Sequence, residues 1–283
     1  MPELPEVEVL VRHLRPLVCG RTIRAIQVRR EKILKPTLLA QFKRTLLGAR
    51  FTDLSRRGKY LCFTLQARRS RKPITLVGHL GMTGRMFIAR KGTPLPKHAA
   101  VILDLGREQF VYEDTRYFGR LTLDATSISQ LGPEPSSQDF SADYFSAALA
   151  RSSQAIKVKL LDQSLVAGVG NIYASEALYR AKISPRLPAK KLSAAQAKKL
   201  LVAVRDVLAE AIRFGSTVPL NHGANPRGGG LFYFGLSPDA LDYYEERLRV
   251  YDRAGQPCQR CNMSIKRIVQ AARSTYYCPR CQS

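Results

Sequence analysis

The sequence has few acidic residues and no long hydrophobic run. Its 283 residues include 22 Asp and Glu against 46 Lys and Arg, which gives a formal net charge of +24. No uncharged stretch reaches the roughly 18 apolar residues that a membrane-spanning helix needs. The first residues are acidic and lack an apolar segment, so no secretory signal is predicted. We therefore expect a soluble cytoplasmic protein without membrane association.

The excess of positive charge is spread along the whole chain, and the sequence pI is about 10.2. A pI above about 9 is typical of nucleic-acid-binding proteins. Ribosomal-type and membrane-surface proteins share such a charge, so it indicates a class of partner and not a reaction. A chain of this length is expected to form two domains, with room for a small third module.

The chain begins with the residues MPELPE. Removal of Met1, which is usual before a small residue, would make Pro2 a secondary amine. An α-amino group has a pKa of about 7.7–8.0, so part of it is nucleophilic near neutral pH, and amines that form Schiff bases are an established catalytic class. Glu3 and Glu6 lie one helical turn apart and could serve the same centre as acid or base. The alternative is an ordinary proline-rich helix start.

Four of the six cysteines lie at the C-terminus, as two Cys-x2-Cys pairs separated by sixteen residues. This spacing is typical of a structural zinc site in which two short knuckles each supply two thiolates. A pair of disulfides is the alternative, which an intracellular location disfavours. The predicted ligands are Cys258, Cys261, Cys278 and Cys281.

The hydrophobic pattern predicts an α+β protein. A helical spacing of apolar residues follows the N-terminus and ends near Pro16, and alternating apolar residues then predict a β-sandwich or barrel up to about residue 124. The stretch 125–142, rich in Ser, Pro and Asp, is the best candidate linker. After it, Ser193 and Gln196 form a capping box, and Gly215 would close that helix. The predicted strands include residues 26–28, 61–65, 101–105 and 110–112.

Three loops combine cations with residues that could contact a nucleic acid. Lys59 lies at a predicted hairpin tip, where a lysine can reach a phosphate without being buried; a solvated basic turn is the alternative. Met82 lies in the glycine-rich loop 78–84, and Phe118 follows Arg116. Both apolar side chains could be exposed wedges that enter between base steps, or they could belong to the core.

A glycine-rich turn at 167–171 opens a helix, and the free N–H groups at a helix N-terminus favour phosphate. A lone turn of this kind is weak evidence. The preceding basic segment with Lys157 and Lys159 strengthens the prediction of a phosphate site.

Together these motifs resemble bacterial formamidopyrimidine-DNA glycosylase, of the formamidopyrimidine-DNA glycosylase and endonuclease VIII family, over nearly the full length. The endonuclease VIII branch usually has Gly where this chain has Leu4, which favours the branch that acts on oxidised purines. The segments that carry the resemblance are 1–8, the Lys59 hairpin, 78–84, 114–119, 161–178 and the cysteine segment with 273–277.

The resemblance implies a bifunctional glycosylase and abasic-site lyase of base excision repair. Such an enzyme excises oxidised purines, among them formamidopyrimidines and 8-oxoguanine, and nicks the strand by β- and δ-elimination. Pro2 would attack C1′ of the damaged nucleotide, Glu3 would shuttle protons and Glu6 would support the N-terminal geometry. Lys59, counted among the catalytic residues, would hold a phosphate beside the lesion. The residues implied to bind DNA are His98, Met82, Arg116, Phe118, Lys157, Asn171 and Arg273.

The resemblance also implies three parts, namely a catalytic β-sandwich domain at 1–131, a helix–two-turns–helix domain at 140–247 and a zinc finger with one structural Zn²⁺ at 248–283. The partner would be double-stranded DNA with oxidised purines or abasic sites, and the chain would act as a monomer at the bacterial nucleoid. A non-catalytic zinc-finger protein that binds damaged DNA is the alternative. A ribosome-associated protein would explain the charge but not the N-terminus.

Three departures from the family pattern affect these expectations. Thr115 and Tyr117 replace a Pro and an Arg on either side of Arg116, and Asn262 stands where Gly is usual. The segment 217–249 is longer than expected for the loop that caps the damaged base, and 236–246 could hold an extra helix. The sequence therefore determines the preference among lesions less closely than it determines the chemistry of the reaction.

Overall fold

The structure is a computed structural model that describes residues 2–68, 72–214 and 247–282. The described chain divides into two compact units. The first comprises Pro2 and Glu6–Ser129, and the second comprises Glu3–Pro5 with residues 130–214 and 247–282. Gly215, the segment 236–246 and nearly all of the loop at 217–249 lie outside the described residues.

The first unit is built on two antiparallel sheets of four strands each. Its strands are β1 (Ala25–Val28), β2 (Arg50–Arg57), β3 (Tyr60–Gln66), β4 (Pro73–His79), β5 (Gly84–Arg90), β6 (Ala99–Asp104), β7 (Glu108–Asp114) and β8 (Arg120–Thr122). The first sheet has the order β1-β6-β7-β5 and the second the order β2-β3-β4-β8. Its helices are α1 (Leu4–Val18), α2 (Leu39–Leu46) and α3 (Thr126–Ser129), with a 3-10 turn at Glu31–Leu34.

One hydrophobic core lies between the two sheets, which confirms the predicted sandwich. Strand β3 alternates strictly, and its inward residues Leu61, Phe63 and Leu65 are fully buried. Phe63 meets Phe110 of the other sheet edge to face, with ring centroids 5.6 Å apart. Such a pair adds to the area that both rings bury. The helix predicted to end near Pro16 continues to Val18.

The second unit is helical and ends in a short hairpin. Its elements are α4 (Ala142–Ala150), α5 (Ile156–Lys159), α6 (Asn171–Ala181), α7 (Ala194–Arg213), β9 (Lys266–Gln270) and β10 (Arg273–Tyr277). The predicted capping box is confirmed, since Ser193 and Gln196 exchange hydrogen bonds at the start of α7. Within the described ranges, no helix is long and apolar enough to cross a membrane. The α+β class is thus confirmed, while the predicted linker 125–142 contains α3.

Candidate active site

The N-terminal segment places a buried carboxylate directly after Pro2. Glu3 is 2% exposed. Its oxygens accept hydrogen bonds from the backbone N–H groups of Ile172 at 2.9 Å and Tyr173 at 3.4 Å. These are among the first N–H groups of α6, which have no partner inside the helix. The carboxylate next to the N-terminal proline is therefore held in one position by a helix N-terminus. Glu6, in the first turn of α1, is also buried.

The glycine-rich turn before α6 binds a different anion from the one that we predicted. We expected its free N–H groups to favour a phosphate, but the anion at this helix N-terminus is the Glu3 carboxylate. A Cβ atom on Gly170 would lie 2.2 Å from the Glu3 carboxyl carbon, and one on Gly168 would lie 2.6 Å from the Leu4 side chain. The Gly168 carbonyl also accepts the N–H of Leu4 at 3.0 Å. The two glycines are needed because the N-terminal segment packs against this turn.

Lys157, which the resemblance implies to bind DNA, is buried. Its side chain is 1% exposed, and its Nζ donates to Asn171 Oδ1 at 2.6 Å. Asn171 Nδ2 in turn donates to the Ser274 carbonyl at 2.8 Å. Burial lowers the pKa of Lys157 to about 8, the Glu3 charge opposes this shift, and the Arg273 charge adds to it. Lys157 therefore orients the Asn171 amide and does not itself present an ammonium group to a phosphate.

Lys59 is also more buried than predicted. Strands β2 and β3 are joined by the two-residue turn Gly58–Lys59, and the lysine is only 7% exposed. Its charge is felt by His79, at the end of β4. Burial, together with the charges of Lys59 and Arg120, lowers the pKa of His79 to about 4. His79 Nδ1 accepts the N–H of Gly81 at 3.1 Å, so the proton of the neutral ring is on Nε2.

The sequence analysis did not single out His79, although it stands in the glycine-rich loop that was noted for Met82. The only sequence feature that could have pointed to His79 is its place as the second residue of the loop 78–84. Its closeness to Lys59 depends on the pairing of β3 with β4, in which Tyr60 lies opposite His79.

The two predicted wedges are exposed. Met82 is 47% exposed and Phe118 is 52% exposed, which excludes the core alternative for both. Their loops are joined by Thr83 Oγ1, which donates to Asp114 Oδ1 at 2.6 Å. The guanidinium of Arg116 lies over the Phe118 ring, 4.9 Å from its centroid. The structure therefore brings an arginine and two apolar side chains to neighbouring loops of the first unit.

Asp114 holds the loop that carries Arg116 through backbone groups. Asp114 is fully buried and accepts the backbone N–H groups of Arg116 at 3.2 Å and Gly119 at 2.8 Å. The loop is thus held by its own backbone. The guanidinium stacks on Phe118 and keeps N–H donors for another partner.

Tyr117, one of the departures from the family pattern, lies beneath this loop. It has a positive φ of 53° and packs against the core. His98 Nδ1 and the Tyr117 hydroxyl are 3.2 Å apart, and the Arg30 guanidinium lies 5.2 Å from the ring centroid. His98, predicted to contact DNA, therefore also supports the loop that carries Arg116.

The four C-terminal cysteines form a compact cluster. All four Sγ atoms lie within 4.8 Å of one another, with Cys258 and Cys281 at 3.9 Å and Cys261 and Cys278 at 3.4 Å. A tetrahedral site with Zn–S bonds of about 2.3 Å requires sulfur separations of about 3.8 Å. All six cysteines of the chain are free thiols, which excludes the disulfide alternative. The donor set fits a single zinc ion.

Each unit gathers its own part of the predicted site. The first unit holds Pro2, Glu6, Lys59, Met82, His98, Arg116 and Phe118, and the second holds Glu3, Lys157, Asn171, Arg273 and the cysteine cluster. His79, which was not predicted, also lies in the first unit.

Three family descriptions match consecutive parts of the chain. Residues 1–121 match the formamidopyrimidine-DNA glycosylase N-terminal domain, and residues 131–220 match the formamidopyrimidine-DNA glycosylase H2TH domain. Residues 255–283 match the zinc finger found in FPG and IleRS.

Full-length relatives and solved structures agree with these matches. The chain is 37% identical over 282 residues to formamidopyrimidine-DNA glycosylase of Carboxydothermus hydrogenoformans, with both chains covered completely. It also superposes on Lactococcus lactis Fpg in complex with DNA that contains an abasic site, with a TM-score of 0.87, 32% identity and 99% of each chain covered. A second structure of that enzyme, bound to DNA with an N7-benzyl-Fapy-dG, gives a TM-score of 0.86 at 32% identity, and each chain is covered completely.

Proposed function

The chain belongs to the formamidopyrimidine-DNA glycosylase family, and from that premise we propose that it is a bifunctional DNA glycosylase and abasic-site lyase of base excision repair. Its substrate is double-stranded DNA with an oxidised purine, among them formamidopyrimidines and 8-oxoguanine, or with an abasic site. The net charge of +24 suits this polyanionic partner. The exposed wedges suit a base-flipping enzyme, because a flipped nucleotide leaves a gap in the stack.

The reaction begins at Pro2, once Met1 has been removed. The amine adds to C1′ while the bond from C1′ to the damaged base breaks, and the base leaves with a proton. Opening of the sugar ring gives a cationic iminium. Loss of a C2′ proton sends the C–H electron pair into the iminium, and the resulting enamine expels the 3′ phosphate as the C3′–O bond breaks. Loss of a C4′ proton then expels the 5′ phosphate. Glu3 carries these protons, and Glu6 supports the N-terminal geometry.

The other residues bind the DNA. Lys59 holds a phosphate beside the lesion, and Asn171 and Arg273 bind phosphate from the helical unit and the hairpin. Lys157 acts through Asn171, to which it is hydrogen-bonded at 2.6 Å. The gap left by the flipped nucleotide is filled by Met82, Arg116 and Phe118, while His98 supports the Arg116 loop. The four cysteines hold one structural zinc, which stabilises the hairpin that carries Arg273.

One observation carries this proposal. Glu3, adjacent to the proline that becomes the N-terminus, is buried and fixed by two N–H groups of α6. Besides closing the N-terminus of α6, a carboxylate held next to Pro2 can serve the amine as an acid or base. Burial of a carboxylate costs free energy unless hydrogen bonds offset it, so this arrangement is consistent with a catalytic role.

A nicking assay tests the proposal against the non-catalytic alternative. The protein, with removal of Met1 verified by intact mass, is incubated with a duplex that contains one abasic site and with a duplex that contains 8-oxoguanine opposite cytosine. We expect strand cleavage on both, with phosphate at both new ends. Tight binding to both duplexes without cleavage would instead support a zinc-finger protein that only recognises damage.

Three further expectations belong to this proposal. The chain is divided into a catalytic domain at 1–131, a DNA-binding domain at 140–247 and a zinc finger at 248–283. It acts as a monomer. It works in the bacterial cytoplasm in association with the nucleoid, where its substrate lies.

A further inference from the structure

Arg56 connects the helix that follows Pro2 to the turn that carries Lys59, within the first unit. Its side chain, on β2, is 11% exposed. Nε donates to Glu8 Oε2 of α1 at 2.9 Å, and Nη1 donates to the Gly58 carbonyl at 3.0 Å. One guanidinium group therefore holds α1 and the β2–β3 turn at the same time.

The bond to the Gly58 carbonyl fixes the direction in which Lys59 leaves the backbone. Gly58 has a φ of +55°, whereas Lys59 is not among the residues with positive φ. In two-residue hairpin turns, types I′ and II′ differ in the orientation of the central peptide. The oxygen of that peptide is the one that Arg56 binds. Arg56 thus selects one orientation of the peptide plane from which the lysine side chain extends.

The other end of this connection is anchored by charge. Burial of Glu8 acts to raise its pKa, but hydrogen bonds from Arg56 and Arg12 outweigh it and the pKa of the carboxyl is lowered. The two arginines differ in their surroundings, because Arg12 is 64% exposed and pairs with Glu8 only along the same helix. Exposed pairs of that kind contribute little, so Arg56 is the partner that ties Glu8 to the sheet.

We propose that Arg56 is a positioning residue, which sets the distance between the amine at Pro2 and the ammonium group of Lys59. The inference rests on the proposed function, in which Pro2 attacks C1′ while Lys59 holds a phosphate of the same nucleotide. Attack rates depend steeply on such geometry, and a misplacement of about 1 Å can cost about a hundredfold. Arg56 acts through Glu8 and Gly58 and does not contact the reacting atoms.

The geometry also predicts that charge alone does not suffice. A guanidinium group presents its donors in a planar fork that can reach two acceptors in different directions. A lysine at the same place would keep the positive charge beside Glu8 but would provide a single nitrogen. Arg56→Lys therefore keeps the positive charge but removes the simultaneous hydrogen bonds to Glu8 and Gly58, so it tests the two contributions separately.

The test is single-turnover nicking of a duplex with one abasic site, at saturating protein, by wild type, Arg56→Gln, Arg56→Lys and the control Arg12→Gln. The end point of borohydride trapping counts the competent molecules in each preparation. We expect Arg56→Gln and Arg56→Lys to lower the rate constant by about tenfold to a hundredfold. DNA affinity should change far less than the rate, and Arg12→Gln should stay within about twofold of wild type in both.

A wild-type rate constant in Arg56→Gln or in Arg56→Lys would overturn the inference, and so would an equal loss in Arg12→Gln. If Arg56→Gln does not fold, Glu8→Gln replaces it. That change keeps an acceptor but removes the charge-assisted bond, so a loss of about threefold to tenfold is expected, and no loss would overturn the inference. Failure of the proposed function is seen separately, as a wild-type protein that neither nicks nor traps the abasic duplex.

Discussion

Single residues show how burial changes what a charge can do. Lys59 and Lys157 count toward the positive charge of the sequence, yet both are buried, at 7% and 1% exposure. A buried ammonium group loses hydration, and its position is set by its few partners. For Lys157 that partner is Asn171, at 2.6 Å. Such lysines interact with a few specific neighbouring atoms and add little to the non-specific electrostatic attraction for DNA.

Lys157→Met should reveal the cost of burying this charge. Because burial lowers the folded-state pKa of Lys157 from 10.5 to about 8, the unfolded state binds more protons between these values. Stability must then rise with pH across that window. We expect wild type to gain on the order of 3 kcal/mol relative to Lys157→Met between pH 8 and pH 10.5. Urea unfolding at several pH values measures this, with Lys159→Met as the control. A difference that is independent of pH would contradict the prediction.

Arg116→Ala should weaken discrimination of the base opposite the lesion. Once the lesion is flipped, cytosine shows two adjacent acceptors, and the guanidinium over Phe118 carries only donors. Adenine shows one acceptor beside an amino donor that would face the guanidinium without a partner. We expect the preference for cytosine over adenine to fall by about tenfold to a hundredfold, the value of a good bidentate contact. Excision opposite all four bases is the measurement.

Thr115→Ala changes an exposed neighbour in the same loop and is the matched control for Arg116→Ala. Nicking of a preformed abasic site should fall less than excision in the arginine variant, because Pro2 and Glu3 are unchanged. A uniform loss opposite all four bases would show that Arg116 only supports the loop.

At this scale the sequence predicted candidate site residues from residue type and motif, but it did not predict their surroundings. Pro2, Glu3 and the exposed wedge Phe118 were recognisable from residue type and motif. The burial of Lys157 was not, because it depends on the packing of α5 and α6 and on the hairpin that supplies the Ser274 carbonyl. His79 was missed for the same reason, since strand pairing brings it near Lys59.

At the scale of secondary structure, the β9–β10 hairpin has a strained backbone next to Arg273, a residue predicted to bind phosphate. Its turn consists of Ala271 and Ala272, which have φ values of +47° and +57°. The left-handed region costs a residue with a Cβ atom about 1–2 kcal/mol. Arg273 follows directly, as the first residue of β10. The conformation of this turn therefore lowers the stability of the hairpin that positions Arg273.

Ala272→Gly should stabilise this hairpin by about 1 kcal/mol, because glycine adopts positive φ without the steric cost. The matched control is Ala209→Gly, the same chemical change at an exposed position inside α7, which should destabilise its helix by about 1 kcal/mol. Amide hydrogen exchange of β9–β10 and of α7 reports both effects. The same sign of change in the two elements would contradict the explanation.

The zinc module should be needed for DNA affinity but not for folding of the first unit. Structural zinc supplies folding free energy directly, so Cys258→Ser should unfold the module and remove the Arg273 contact. We expect DNA affinity to fall by about tenfold or more. Cys19→Ser changes a thiol outside the cluster and is the control. Unchanged affinity after chelation, with loss of metal verified by assay, would show that the module is not an anchor.

The elements whose apolar residues recur with a clear strand or helix period were predicted with bounds, and elements without such a period were not. Buried and less buried residues alternate along strand β3, and the buried residues of α7 recur at helical spacing after its capping box. Strand β2 carries the polar sequence RFTDLSRR and was predicted only as the first strand of the Lys59 hairpin, without bounds. Its pairing with β3 overrides its composition. Tertiary pairing of this kind cannot be read from one segment alone.

For the whole molecule, a net charge of +24 identifies the class of partner and leaves the reaction open. In the proposed mechanism the reaction depends on Pro2 and Glu3. The fixed carboxylate of Glu3 follows Pro2 directly, and the proposed enzyme differs from a protein that only binds damaged DNA in using Pro2 as an amine nucleophile. The central claim is therefore that Pro2 is the nucleophile.

Borohydride trapping followed by peptide mapping tests this claim most directly. The protein is incubated with a duplex containing one lesion, reduced with borohydride and digested, and the peptide joined to DNA is sequenced by mass spectrometry. We predict a covalent adduct on the peptide that begins with Pro2, and no adduct, base removal or nicking by a variant that retains one extra N-terminal residue. An adduct on an internal lysine, or full activity of the extended variant, would contradict the claim.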